Sequence, residues 1–459
     1  MDKGVSKPLV AGMLGIALCV AWLSSPTRGK AVPRLDGRES RASSDLIVPR
    51  GPTREEVTRM LSRDAYSYKV RNVTGVERYD GAQLASNSPC EDTFSHGEFA
   101  SPWGDGTTWL ALGIYDGHAG SQVAEYLAKH LVRFVRHSLQ HISHVFQEED
   151  GSFSDPVVQW AIGRGFTTLD DAITTATFGL KSSKEPWQDK IKKLELGYTG
   201  SCALQSFFDP ASSTLHVACT GDSRAVLGRR REDGSWEAIP LSVDQDANNA
   251  DEVARVNGEH PGETHIINDE RMFGLSVLRA FGNARWKIPV GRQKTLWLRY
   301  NATPPLGWGQ EEPWIRTPPY LTARPVVTST QIPAETPSFL IMATDGIWSF
   351  LTNEQAVNLV ALWLEAKAAA NDFPPDMSTS SPPPDTYPPF IRSQTAYMFT
   401  EERTTVRDDN VAVHLLRNSL GGNHEELLSG RVTFTPPLSR DARDDLTVQV
   451  AFFNTGVVF

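Results

Sequence analysis

Residues Ser338 to Trp348 read SFLIMATDGIW, and residues Thr107 to His118 read TWLALGIYDGH. Each is a run of apolar, β-branched and aromatic residues that stops at an Asp-Gly pair, the pattern of a strand ending in a turn. Two more runs share this character, TLHVACTGDSRAVLGRR from Thr214 to Arg230 and DLTVQVAFF from Asp445 to Phe453. Helical periodicity lies between them. From Ser121 onward Val123, Leu127, Leu131 and Val135 recur at four-residue steps and define one apolar face. Near the start, Thr53 with Glu56 three residues later forms a capping box, which predicts a helix from Arg54 to Ala65 with Val57, Met60 and Leu61 on one face.

The chain has 459 residues, of which 40% are hydrophobic and 22% charged, a globular composition. Its formal net charge of -10 argues against a nucleic-acid surface, which needs clustered cations. Four cysteines exclude a disulfide framework; Cys90, Cys202 and Cys219 in the folded region are odd in number and scattered, which suits a reducing compartment. Leu9 to Leu23 is an uncharged apolar run with Lys3 and Lys7 before it and Arg28, Lys30 and Arg34 after it. It is shorter than the roughly 20 residues of a comfortable membrane span. A secretory signal, a marginal membrane anchor and a mitochondrial targeting and sorting segment all fit it. The Arg- and Ser-rich stretch from Ser24 to Arg50 favours the third. Residues 1–50 are therefore read as a targeting or anchor segment with a polar linker, and 51–459 as one domain. Two stretches read as inserted loops, one near 287–319 and one near 371–389, the latter containing SSPPPDTYPP.

Four acidic groups stand where strands end: Glu91-Asp92 in SNSPCED, Asp116 in YDGHAG, Asp345 in ATDGIW and Asp444-Asp445 in ARDDLTV. Carboxylates that converge form a hard oxygen site suited to Mg²⁺ or Mn²⁺. Two such ions can lower the pKa of a bridging water and clamp a phosphoryl group. Asp-Gly is also a common turn pair, so both readings stand on the residues alone. His118, two residues after Asp116, is placed either to protonate a leaving oxygen or merely to occupy a turn. Gly221 to Arg224, which contains Asp222, joins two strand-like runs and also fits a plain hairpin turn. Arg279 in LSVLRAFGN either binds phosphate or pairs with an acid. The sequence has no G-x-x-x-x-G-K-[ST] loop, no H-E-x-x-H helix and no G-x-S-x-G elbow. Cys219 and Arg224 have four residues between them rather than the five of cysteine-based phosphatases.

Taken in order, SNSPCED, YDGHAG, GYTGSCAL, GDSRAVLG, LSVLRAFGN, ATDGIW and RDDLTV resemble the motif series of the metal-dependent protein phosphatases of the 2C type, over Gly75 to Phe453. RYDGAQLASNSPCED, LRAFGNARWK, TPPYLTARP and DNVAVHLLRNSLGG resemble the pyruvate dehydrogenase phosphatases and their fungal relatives within that family. The resemblance implies an α+β fold, a four-layer α-β-β-α sandwich of two packed antiparallel sheets flanked by helices. It implies two Mg²⁺ or Mn²⁺ ions. Asp116 would bridge them, Glu91 and the Gly117 carbonyl would complete one shell, and Asp345 and Asp444 would hold the other ion. His118 would be the general acid. Asp92, Asn87, Asp222, Arg279 and Asp445 would stand around the ligands or the phosphate. Arg407-Asp408-Asp409-Asn410, followed by a strand-like VAVHLL, competes with Asp444 for the last motif. Three residues depart from the family pattern: Asn87 where many members carry Arg, and Asn283 and Ser349 where they carry Asp. The last two lie off the expected two-metal core and weaken any third ion at Asp222.

The implied activity is hydrolysis of phosphoserine or phosphothreonine on a protein, the pyruvate dehydrogenase complex being the suggested substrate. A catalytically silent scaffold and a phosphatase of small metabolites are the competing readings. The expected compartment is mitochondrial, matrix or inner membrane, with Leu9 to Leu23 a candidate anchor. A secreted protein would instead be glycosylated at Asn72 and Asn301, which begin N-x-T sequons.

Overall fold

The Thr53 hydroxyl accepts the backbone N–H of Glu56, and Glu56 returns a bond to the N–H of Thr53 at 2.8 Å. This box starts α1 (Arg54–Leu61), which stops at Ser62, short of Ala65. It buries Val57 and Leu61 and leaves Met60 38% exposed, so the apolar face is narrower than expected. The computed structural model describes residues 51–142, 153–179, 185–309, 314–370 and 398–457. Leu9 to Leu23 and the proline-rich stretch near 371–389 lie outside them. Among the described residues no helix is long and apolar enough to cross a membrane.

Pro52–Phe459 forms one unit by its internal contacts. After α1 come β1 (Tyr66–Lys69), β2 (Val76–Leu84), β3 (Thr93–Ala100), β4 (Thr108–Tyr115) and β5 (Gly117–His118). Then follow α2 (Gln122–Ile142), α3 (Asp155–Phe178), α4 (Trp187–Tyr198), β6 (Gly200–Ser201), β7 (Ala203–Asp209), β8 (Thr214–Thr220), β9 (Arg224–Arg230) and β10 (Trp236–Pro240). The middle of the chain forms α5 (Ala250–Glu259), β11 (Ile267–Asn268), β12 (Arg271–Met272), β13 (Phe281–Gly282), α6 (Ala284–Lys287) and α7 (Val290–Tyr300). The last part forms β14 (Val326–Gln331), β15 (Ser338–Ala343), α8 (Asp345–Trp348), α9 (Asn353–Ala370), α10 (Val411–Leu420), α11 (Glu425–Thr433), α12 (Ser439–Ala442) and β16 (Leu446–Phe453).

Two antiparallel sheets result, six-stranded in the order β1-β2-β16-β15-β9-β10 and five-stranded in the order β14-β8-β7-β4-β3. The continuous apolar runs are explained by burial on both sides. On β15, Leu340 and Met342 join the core between the sheets, while Phe339, Ile341 and Ala343 face the core under α9 and α10. On β4, Leu110, Leu112 and Ile114 point between the sheets, while Trp109, Ala111 and Tyr115 pack beneath α2 and α3. Side chains alternate across a strand, so one run feeds two cores. The layers are helix, sheet, sheet, helix, and the architecture is the expected α-β-β-α sandwich.

Three local expectations change. Gly221 to Arg224 is a crossover rather than a hairpin turn, since β8 and β9 belong to different sheets. VAVHLL is helical: the Asn410 side chain accepts the Val413 N–H and caps α10, all of whose residues are buried. The stretch near 287–319 is partly helical, because Leu296 and Tyr300 in α7 fall on one buried face.

Candidate active site

The acidic residues gather because of strand direction. Thr93 at the start of β3 pairs with Tyr115 at the end of β4, Ala343 at the end of β15 with Val448 of β16, and Ala203 of β7 with Thr220 of β8. Glu91, Asp116, Asp222, Asp345 and Asp444 each lie one or two residues beyond such an end, and all are half-buried. Two backbone approaches fix their spacing. A Cβ on Gly117 would meet the Glu91 carbonyl at 2.2 Å, and one on Gly346 would meet the Asp445 carbonyl at 2.4 Å and the Asp444 Cβ at 3.2 Å. Glycine is required at both positions. Neither Asp408 nor Asp409 lies there: Asp408 pairs with Arg417 at 2.7 Å, and Asp409 faces Lys367 with a fully exposed side chain.

Burial pushes the Asp116 carboxyl well above the usual carboxylate range, and the charges of Asp92, Asp345 and Asp222 push it further. Asp222 is pushed up to about 6, chiefly by burial, and accepts the Cys202 thiol at 3.2 Å. Burial also raises Glu91. Such a cluster is costly when ionised, and a divalent cation offsets that cost. The donor set is all oxygen, the chemistry of Mg²⁺ and Mn²⁺. As the side chains stand, no three described His, Cys, Asp or Glu residues meet at metal-holding spacing. The reason is visible in their present partners. Glu91 accepts the Asn87 Nδ2 at 2.7 Å and the Gly120 N–H at 2.6 Å, and Asp444 pairs with Arg440. The backbone brings these residues to one end of the two sheets, and their carboxylates are turned to these partners.

Asp92 and Asp445 are the buried braces. The Thr447 and Thr344 hydroxyls donate to Asp92 at 2.7 and 3.0 Å. Asp445 accepts the backbone N–H of Ser86, of Asn87 at 2.9 Å and of Glu91 at 2.9 Å, and the Asn87 Nδ2 at 3.1 Å. One carboxylate thus fixes the loop that carries Glu91. Arg279 is fully engaged elsewhere. It donates to both oxygens of Glu252, at 2.6 and 2.9 Å, and to the Arg324 carbonyl at 2.6 Å. Of its two readings, the ion pair is the one present; Arg279 is taken from the phosphate by an acid 27 residues away in sequence.

His118 sits in a small sheet, β13-β6-β5, beside the carboxylates. Its Nε2 bonds the Asn283 Oδ1 at 2.8 Å. A Cβ on Gly200 would meet Asn283 Oδ1 at 2.0 Å and His118 Nε2 at 2.3 Å, so only glycine fits over this bond. Asn283 was expected off the metal core; it is in direct contact with His118. Its turn is held by the Asp170 carboxylate, which accepts the Gly282 N–H at 2.9 Å and Lys287 Nζ at 2.7 Å. Burial lowers the His118 pKa, opposed by the Asn283 bond and aided by the Lys287 charge. Ser349 donates its hydroxyl to the Asp345 carbonyl at 3.0 Å. Sequence reading missed Thr344, Thr447, Gly200, Asp170 and Lys287. Only Thr344 carried a signal, by standing next to Asp345.

Residues 82–377 match the family model Protein phosphatase 2C. A protein phosphatase 2C homolog of Schizosaccharomyces pombe is 37% identical over 83% of this chain and 82% of its own length. The mitochondrial [pyruvate dehydrogenase [acetyl-transferring]]-phosphatase 1 of Saccharomyces cerevisiae is 36% identical over 84% of this chain and 70% of its own. The human protein of that name is 28% identical over 88% and 84%. Among solved structures, serine-threonine phosphatase 2C from Toxoplasma gondii aligns over 85% of this chain and 99% of its own, with a TM-score of 0.47 and 15% identity. With the ordered motifs, the family-model match and the two fungal relatives place the chain in the protein phosphatase 2C family, the metal-dependent protein serine/threonine phosphatases.

Proposed function

We propose that this phosphatase acts on mitochondrial phosphoproteins, with the pyruvate dehydrogenase complex as its substrate, and uses two Mg²⁺ or Mn²⁺ ions. The supporting observation is the half-buried carboxylate cluster around Asp116, whose members raise one another's pKa. Asp116, Glu91 and the Gly117 carbonyl would hold one ion, and Asp116, Asp345 and Asp444 the other. When bound, the ions supply Lewis acidity toward water and toward the phosphoryl oxygens. His118 holds the proton that the leaving serine or threonine oxygen needs. Burial lowers the imidazole's pKa in the free chain, and an arriving phosphate dianion would favour its protonated form. Asn283 fixes the ring through Nε2, and Asp445 fixes the Glu91 loop. Two relatives named as mitochondrial pyruvate dehydrogenase phosphatases support the substrate and compartment. In this reading residues 1–50 direct the chain to the organelle, and Leu9 to Leu23 either is removed or stays as an anchor.

The test is phosphate release from phosphorylated pyruvate dehydrogenase. Activity should need Mn²⁺ or Mg²⁺ and vanish in Asp116→Asn. Full activity in excess chelator would refute the metal assignment. Unchanged phosphorylation of pyruvate dehydrogenase in mitochondria lacking the gene would refute the substrate.

A further inference from the structure

A groove of about 630 Å³ runs along α3, well outside the carboxylate cluster. One wall is a helical stripe, Pro156, Trp160, Arg164 and Thr167, spaced at three- and four-residue steps. The other is the segment Arg324-Pro325 with Val327 of β14. The walls meet where a Cβ on Gly163 would touch Pro325 Cδ at 3.9 Å, and Gln159 ties α3 to Ser329 of β14 at 3.0 Å. Trp160 is 48% exposed, with the Arg164 guanidinium 5.4 Å from its ring centroid. No carboxylate lines the groove. Arg164 and Arg324 are both exposed, and no described acid pairs with either.

The groove points at the reaction centre. Val326 of β14 pairs with Cys219 of β8, and the Thr220 hydroxyl donates to the Ala323 carbonyl at 3.0 Å. The Arg324 end therefore lies at the same sheet end as Asp222. On α3 the next turn after Thr167 brings Asp170, which holds Gly282 beside Asn283 and His118. From Pro156 to Thr167 the helix rises about 16 Å, the length of about five residues of extended chain.

We infer that this groove docks the polypeptide flanking the phosphorylated residue, and that it selects an acidic segment. Two guanidiniums with no acid partner among the described residues, on an otherwise acidic chain, supply the charge complementarity, and Trp160 with the two prolines supplies apolar contact. The inference rests on the phosphatase reading for its geometry, and its test separates the two. The substrates are a phosphoserine dodecapeptide with Asp and Glu on both sides, the same peptide with Ala flanks, and p-nitrophenyl phosphate. The variant is the double reversal Arg164→Glu with Arg324→Glu, at exposed positions that leave the core intact. The acidic peptide should be preferred by the parent protein, and the reversal should raise its KM roughly tenfold. Hydrolysis of p-nitrophenyl phosphate and of the Ala-flanked peptide should not change. Equal use of both peptides by the parent, or a preference that survives the reversal, overturns the docking site. Loss of p-nitrophenyl phosphate hydrolysis in the variant also overturns it, because the groove would then act on the core. A binding measurement removes the dependence on catalysis. In 5-fluorotryptophan protein, with the resonance assigned by Trp160→Phe, the unphosphorylated acidic peptide should shift the Trp160 signal in the parent and not in the reversal variant. An unmoved signal refutes the site even if the chain proves to be an active phosphatase; a shift in a protein inert toward p-nitrophenyl phosphate refutes the phosphatase reading and keeps the site.

Discussion

Replacing Asp445 by Asn tests whether one buried carboxylate organises the site. Asp445 is 3% exposed, and its two oxygens accept four N–H groups from Ser86, Asn87 and Glu91. Asparagine keeps the shape and one acceptor oxygen. Its amide nitrogen must then face two donors, whichever way it is turned. Two charge-assisted bonds are lost, each worth about 1.5–3 kcal/mol, and two donors are left facing a third. The loop from Ser86 to Glu91 is partly exposed and relaxes toward water, so the low end of that sum applies, about 3 kcal/mol. For a unit as long as Pro52–Phe459 that is a fall in Tm of roughly 3–4 °C by calorimetry. Glu91 also loses the anchor of its backbone N–H, so the Mn²⁺ concentration for half-maximal activity should rise about tenfold or more. Asp409→Asn is the control, since its side chain is fully exposed, and it should leave Tm and the Mn²⁺ dependence unchanged. A variant at Asp445 with Tm within about one degree of the parent and an unaltered Mn²⁺ titration would refute the reasoning, because the loss expected from the bonds is several-fold larger.

Three further outcomes follow from the same geometry. Asn283→Ala removes the only described bond to His118 Nε2 and should slow release of a serine alkoxide, which needs a proton, about tenfold or more while sparing p-nitrophenyl phosphate, whose leaving group does not; equal losses on both substrates would contradict a positioning role. Asp116 and Asp92 titrate above the unfolded value and Asp222 at about 6, so their contribution is favourable below about pH 4, is lost as pH rises through the folded values, and turns into repulsion that a cation relieves. The rise in Tm on adding Mn²⁺ should therefore be larger at pH 7.5 than at pH 5.5 by thermal scanning, and a pH-independent rise would count against the cluster as the cation site. Gly165→Ala places a Cβ 2.7 Å from the Val135 Cα where α3 crosses α2, and should cost about 1–3 kcal/mol in urea unfolding; an unchanged midpoint would mean that the helices separate freely.

The strands around Asp116 and Asp345 were legible in sequence because a strand covered on both faces must be apolar without alternation, and because Asp-Gly marks its end. The long helix α2 was legible because Val123, Leu127, Leu131 and Val135 repeat at a helical period. Local pattern also carried the Thr53 capping box, which needs only residues three apart. It failed where the deciding contact is distant. VAVHLL is apolar in either state, and its helix is settled by Asn410 capping and by burial beneath the six-stranded sheet. Gly221 to Arg224 has the composition of a hairpin turn, but β9 finds its partners in β10 and β15, the latter more than a hundred residues later in the chain. Arg279 fits a phosphate ligand and an ion pair equally until Glu252 is seen to hold its guanidinium. Asn283 reads as a weakened acid until folding sets its amide against His118. Composition and spacing determined which residue types end the strands and hence what chemistry the chain can perform. Only tertiary structure decided which carboxylates stand together at the sheet ends, which are walled in as braces, and which cations along α3 have no described acid beside them, because those outcomes depend on partners that sequence distance hides.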